Sequence, residues 1–140
     1  MRDFRKALTD RVLVLDGAMG TLLQERGLPP GGCPEEMNRI APEAVVGVHA
    51  EYAAAGADIL VANSFGGNRA KLGHYGLESA VDELNCRAVE LARKAGGDQA
   101  FVGGSVGPTG RFVEPVGDAG FDEMVDIFAE QISALAGAGA

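Results

Sequence analysis

Asp16 stands at the end of an apolar run, Leu13-Val14-Leu15, and is followed by Gly17, Ala18, Met19 and Gly20. At a strand end, its carboxylate can hold an ammonium group, while the N–H groups of Gly17, Ala18 and the start of the next helix can take a carboxylate. A zwitterionic amino acid would satisfy both. The alternative is local: Asp16 caps the short helix that follows, and Gly17 permits a tight turn. Two further stretches share the polar, glycine-rich character. NSFGGN, residues 63–68, offers Asn63 and Ser64 beside Phe65, and GSVGPTG, residues 104–110, offers Ser105 and Thr109 around Gly107 and Pro108. Each also reads as ordinary turn chemistry. The chain carries neither GxGxxG nor GxxxxGK[ST], so nucleotide phosphates have no local motif. His49 reads as packed on a helix face and His74 as a surface loop residue; neither neighbours a recognisable nucleophile.

The elements that position these loops follow from periodicity. Val12–Leu15 is a short continuous apolar run, as expected of a parallel strand buried on both faces; Ile59–Ala62 reads as a second buried strand and Phe101–Gly104 as a third strand. A short helix is expected over Thr21–Arg26. Pro42 suits the first turn of a helix with Val45, Val48, His49 and Tyr52 on its inner stripe and Gly56 behind it. Leu77–Ala95 carries Leu77, Val81, Leu84, Ala88, Leu91 and Ala95 on one stripe. Phe121–Ala136 carries Phe121, Met124, Val125, Phe128, Ile132 and Leu135, with Asp122 and Glu123 favouring its N-terminus. Strand, loop and helix recur three times, which implies a parallel sheet with right-handed crossovers. All three polar loops follow strands, whereas AAGAD and KAGGDQA, which lead into strands, are plain turns. Ligands in such sheets gather at the carboxyl ends of the strands.

Composition narrows the partners. A 140-residue chain that is 46% hydrophobic and 23% charged is long enough for one core. Its net charge of −8 and pI near 4.7 disfavour nucleic acid and anionic membrane surfaces, which reward clustered Lys and Arg. No apolar run approaches the roughly 20 residues that span a bilayer, and MRDFRKALTD lacks the apolar core of a signal peptide, so the cytoplasm is the expected location. Cys33 and Cys86, without CxxC or His-rich context, are expected to be reduced thiols and not metal ligands.

Jointly, LDGAMGTLLQERG, PEAVVGVHAEYAAAGADILVANSFGGNRAKL and FVGGSVGPTG resemble the homocysteine S-methyltransferase family, and within it the homocysteine-binding modules of the cobalamin-dependent enzymes. The resemblance covers the chain from about Arg11. It implies an α/β fold, the (β/α)8 TIM barrel, of which residues 1–140 would be about the first three βα units, with no second domain. It also implies methylation of the homocysteine thiol to methionine, with the thiol bound to zinc and methylcobalamin as a donor reached through other modules. By the same resemblance Asp16 helps bind the substrate ammonium, Gly17 and Ala18 take its carboxylate, and Asn63, Ser64, Phe65, Ser105, Gly107 and Thr109 line the pocket. No catalytic residue is carried over. The zinc cysteines of the family lie in later strands, so the expected partners are the remainder of the barrel and, beyond it, folate- and cobalamin-binding modules. The 140 residues alone are expected to bind no zinc tightly and to turn nothing over. Val61 and Ala62 stand where close relatives usually carry an acid and a threonine, which leaves open a corrinoid-linked methyltransferase with another acceptor. A non-catalytic fragment completed by a partner chain is the third reading. Folate, cobalamin, betaine and S-methylmethionine are not distinguished as methyl donors.

Overall fold

The computed structural model describes residues 3–140; Met1 and Arg2, part of the segment read for a leader, lie outside the described residues. Its elements are α1 (Phe4–Asp10), α2 (Gly20–Glu25), α3 (Met37–Ile40), α4 (Pro42–Ala54), β1 (Ile59–Val61), α5 (Arg69–Leu72), α6 (Val81–Gly96), β2 (Phe101–Gly103) and α7 (Phe121–Gly137). β1 and β2 are parallel, with Ile59 opposite Phe101, Leu60 opposite Val102 and Val61 opposite Gly103. The first apolar run joins the other edge of β1 through a parallel bridge of Leu15 to Ile59, so the expected order of three parallel segments holds. Asp58 N–H donates to Val14 O at 2.8 Å and Asp16 N–H to Ile59 O at 3.0 Å, which places Asp16 at the carboxyl end of the sheet.

Local signals account for the helices. Asp3 caps α1 by accepting from Lys6 N, Asn68 caps α5 by accepting from Lys71 N, and Pro42 occupies the first turn of α4, where a missing N–H leaves no hydrogen bond unmade. The α4 stripe is inward as read: Val45, Val48 and His49 are buried and Tyr52 is half-buried. Val45 and Val48 join Leu23, Leu28, Met37 and Leu91 in one apolar cluster, and Ala62, Ala88, Val89 and Leu135 form another between the sheet, α6 and α7. α6 begins at Val81, later than the stripe suggested, because a 3-10 turn over Glu78–Ala80 precedes it.

Two expectations are corrected. The first apolar run is not buried on both faces: Val12 is 86% and Leu15 56% exposed. Among the described residues the sheet continues on one side of this run only, so its other edge meets no layer. The inner face of α7 is Ile127, Gln131, Ala134 and Leu135, whereas Phe121, Val125 and Ile132 face outward. The cause is a polar anchor: Gln131 reaches two loop carbonyls beneath the sheet end, and that contact fixes the rotation of the helix. No helix of the described residues is long and apolar enough to cross a membrane.

Candidate functional site

A cavity of about 320 Å³ opens at the carboxyl end of the sheet, within the size range of small-ligand pockets. Its wall comes from the loop after the first apolar run (Gly17, Met19, Gly20), from Pro34 and Glu35 ahead of α3, from the end of β1 and its loop (Val61 to Phe65), and from Ser105. A wider depression lies at the opposite end, lined by plain turns such as Gly56–Asp58 and Gly96–Ala100. There the carboxylate of Asp58 is already paired with the Arg11 guanidinium, at 2.5 and 2.8 Å.

Asp16 precedes the lining residue Gly17 but is not itself in the cavity lining, and only 3% of its side chain is exposed. Its Oδ2 accepts the Val61 N–H at 3.0 Å and stands 3.7 Å from His49 Nδ1. Helix α2 has Met19 at its N-cap and no side-chain cap, so the helix-capping alternative for Asp16 falls away. The next corner is held from α4. Tyr52 O–H donates to Ala18 O at 2.9 Å, and a Cβ on Gly17 would stand 3.0 Å from that hydroxyl. Gly17 therefore lets the chain pass under the tyrosine, and its N–H and that of Ala18 have no acceptor among the described residues. Gly17 lines the cavity, whereas Ala18 is exposed and outside the lining.

The second and third loops hold each other. Asn63 Nδ2 donates to Pro34 O at 2.7 Å and to Asn38 Oδ1 at 3.0 Å, while Asn38 donates back to Asn63 O. Ser64 Oγ donates to Ser105 O at 2.9 Å and accepts from Ser105 N at 3.0 Å. Phe65 lies 60% exposed at the mouth, and its carbonyl accepts the Gly107 N–H at 2.9 Å. A Cβ on Gly107 would fall 2.5 Å from that carbonyl oxygen, so the two loops touch only because residue 107 has no side chain. Thr109 is buried and its hydroxyl accepts from Arg111 N at 3.1 Å. Asn63, Ser64, Phe65 and Ser105 thus form the wall, while Gly107 and Thr109 stiffen the third loop from outside it.

Sequence reasoning missed Glu35, which follows Pro34 in the connection between α2 and α3. This buried carboxylate lines the cavity, accepts Gly66 N–H at 2.7 Å through Oε1 and receives the Cys33 thiol proton through Oε2 at 3.4 Å. No periodicity marks such a residue; only the fold brings it to Gly66, 31 positions away. Burial, and then the neighbouring carboxylate, push the Cys33 thiol up to about 11. The protonated thiol is the donor, so this contribution to stability is complete below the ordinary thiol value of 9.0 and disappears as pH rises through about 11. Thermal melts of the wild type minus those of Cys33→Val should accordingly fall between pH 9 and 11 and stay level below; a level difference throughout would refute the thiol–carboxylate contact. Cys86 sits on α6, its thiol against Asp82 and Ala134 O. No three His, Cys, Asp or Glu side chains among the described residues converge to hold a metal ion, so the residues present do not fit a zinc site.

The cavity thus offers the Glu35 carboxylate, a Gly17 N–H without an acceptor among the described residues and a wall of mutually bonded loops, with Asp16 and Ala18 on either side of Gly17 in sequence, at the carboxyl end of a parallel sheet. Residues 13–140 match the family described as homocysteine S-methyltransferase. The chain belongs to that family. Among its relatives are the methionine synthases of Mycobacterium leprae (strain TN) and Mycobacterium tuberculosis (strain ATCC 25618 / H37Rv). Each is 32% identical over 152 aligned positions, covering 99% of this chain and 12% of the relative. Among solved structures, the oxidized form of the homocysteine methyltransferase MmuM from Escherichia coli superposes with a TM-score of 0.81 at 29% identity, covering 99% of this chain and 55% of that one. Its metallated form gives 0.80, covering 97% and 54%. The chain therefore spans about an eighth of the two synthases and about half of MmuM. Its unclosed sheet is an arc of the TIM barrel expected of an S-methyltransferase of this family, with the cavity at the barrel face where such sites form.

Proposed function

We propose that this segment, as the N-terminal part of a homocysteine-binding barrel domain, holds the amino-acid end of homocysteine while its thiol is methylated to methionine. The observation that carries the reading is the Asp16 corner: a carboxylate fixed by the Val61 N–H beside two loop N–H groups without acceptors among the described residues. Asp16 takes the substrate ammonium, and the N–H groups of Gly17 and Ala18 take its carboxylate. Asn63, Ser64, Phe65 and Ser105 shape the wall. In the reaction the thiol sulfur forms its bond to the methyl carbon, the bond from that carbon to the donor breaks, and the thiol proton leaves.

A zinc, which the metallated MmuM form makes pertinent, would be held by residues other than those described and would supply a stabilised thiolate. Methylcobalamin as donor, reached through cobalamin- and folate-binding modules, fits the methionine synthase relatives. The apolar wall at Val61 and Ala62 supports a second reading, in which the same corner serves another acceptor.

Titration of the full-length protein with L-homocysteine and with 4-mercaptobutanoate, which lacks the amino group, tests the corner. The des-amino analogue should bind about 100-fold more weakly, the loss expected when a buried carboxylate keeps no cation. Equal affinity would sink the assignment, and an acceptor screen that bypasses homocysteine would favour the second reading.

A further inference from the structure

His49 is the buried titratable group for which packing gives no reason. It lies in the middle of α4 with none of its surface exposed, between Val45, Val48 and Tyr52 on the inward stripe. Neither Nδ1 nor Nε2 has a hydrogen-bond partner among the described residues. A leucine or methionine would fill that position without leaving two ring nitrogens dry. The polar atom that faces the ring is Asp16 Oδ2, 3.7 Å from Nδ1, beyond hydrogen-bond length and within ion-pair reach.

We propose that His49 is a positioning residue for Asp16: its Nδ1–H closes on Oδ2 when the site is filled and turns the other carboxylate oxygen to the substrate ammonium. The inference rests on the proposed role of Asp16. A neutral imidazole carries one proton, and the two placements are unequal here. With the proton on Nε2, a lone pair on Nδ1 would face the carboxylate. With the proton on Nδ1, a donor faces an acceptor, so the carboxylate selects the Nδ1–H tautomer. Closing the contact needs a movement of less than about 1 Å, which a change of ring or carboxylate torsion supplies. Oδ2 then takes two donors, Val61 N–H and His49 Nδ1–H, while Oδ1 takes no hydrogen bond from the described residues and remains for the cation. The same helix face fixes the adjoining turn through Tyr52 and Ala18 O, so α4 sets both halves of the corner.

The test uses the full-length protein with wild type, His49→Leu, His49→Asn and Asp16→Asn, measuring KM for L-homocysteine, kcat and melting temperature. His49→Leu should raise KM about tenfold and keep kcat within about twofold, the value of one hydrogen bond to a charged group. His49→Asn, whose side-chain amide can donate from near the Nδ1 position, should restore KM to within about threefold. A melting-point loss in His49→Leu with KM unchanged would overturn the proposal by leaving a purely structural histidine. If Asp16→Asn raises KM and His49→Leu does not, the inference about His49 fails alone. If neither does, the role of Asp16 fails with it. Should His49→Leu not fold, nitrogen NMR of the wild-type imidazole decides: the Nδ1–H tautomer supports the proposal, and the Nε2–H tautomer overturns it.

Discussion

Asp16→Asn in the full-length protein is expected to weaken L-homocysteine binding by about 100-fold while moving the melting temperature by only a few degrees. The two effects separate because the substitution changes charge and keeps shape. The Asn side-chain oxygen can still accept the Val61 N–H that Oδ2 accepts at 3.0 Å, so the link between the first loop and β1 survives. Two opposing contributions to stability then nearly cancel. Removing a carboxylate that is almost wholly out of water relieves a desolvation cost, and weakening its bond to a backbone N–H gives back part of that gain. Binding has no such compensation. A buried ammonium without its carboxylate typically loses about 2–5 kcal/mol, and the 100-fold loss corresponds to about 2.7 kcal/mol, within that range. Calorimetric titration beside a thermal melt reads both numbers. An affinity within twofold of wild type at full stability would refute the ammonium role of Asp16.

Much of this corner was legible from the chain. Short apolar runs ending in polar glycine-rich loops gave the parallel strands and put Asp16, Asn63, Ser64 and Ser105 at one end of the sheet, and the α4 stripe placed His49 and Tyr52 inward. What hydrophobic periodicity does not report is a polar residue that belongs inside. Gln131 reads as the outer face of α7 and is fully buried, so the stripe drawn through Phe121 and Ile132 was rotated away from the true one. Glu35 sits in a connection without periodicity, and its partner Gly66, 31 positions away, is reached only through the fold, in which α3, just after Glu35, packs on α4 and α6. Turn composition has the converse weakness. Ser105 and Thr109 look equivalent in GSVGPTG, yet Ser105 lines the cavity and Thr109 faces its own turn, because composition marks where a chain bends and not which way each side chain points.

Gln131→Leu is expected to have the largest effect on stability, about 2 kcal/mol, because it cuts the contact that ties α7 to both site loops. Gln131 Nε2 donates to Ser64 O at 2.6 Å, with Asn85 Oδ1 at 3.2 Å and Ser105 O at 3.3 Å also in reach. The losses are unequal. Ser64 O keeps the Gly67 N–H and Ser105 O keeps the Ser64 hydroxyl, so each loses a second donor. Asn85 Oδ1 loses its only donor among the described residues and becomes a buried orphan. An orphaned acceptor costs about 1–3 kcal/mol and a lost second hydrogen bond about 0.5–1.5 kcal/mol. Against these stand the added apolar burial of leucine and the removal of Gln131 Oε1, which has no partner among the described residues. The net of about 2 kcal/mol corresponds to a fall in melting temperature on the order of 8 °C for a domain of this size. Homocysteine affinity should fall less than in Asp16→Asn, since the loops that loosen form the wall and not the corner proposed to anchor the ammonium. Gln131→Glu would be the harsher change, because a carboxylate would then face the Ser64 and Ser105 carbonyl oxygens. A Gln131→Leu protein as stable as the wild type would mean that apolar contacts alone seat α7, and the exposure of Phe121, Val125 and Ile132 would then have no cause in this network.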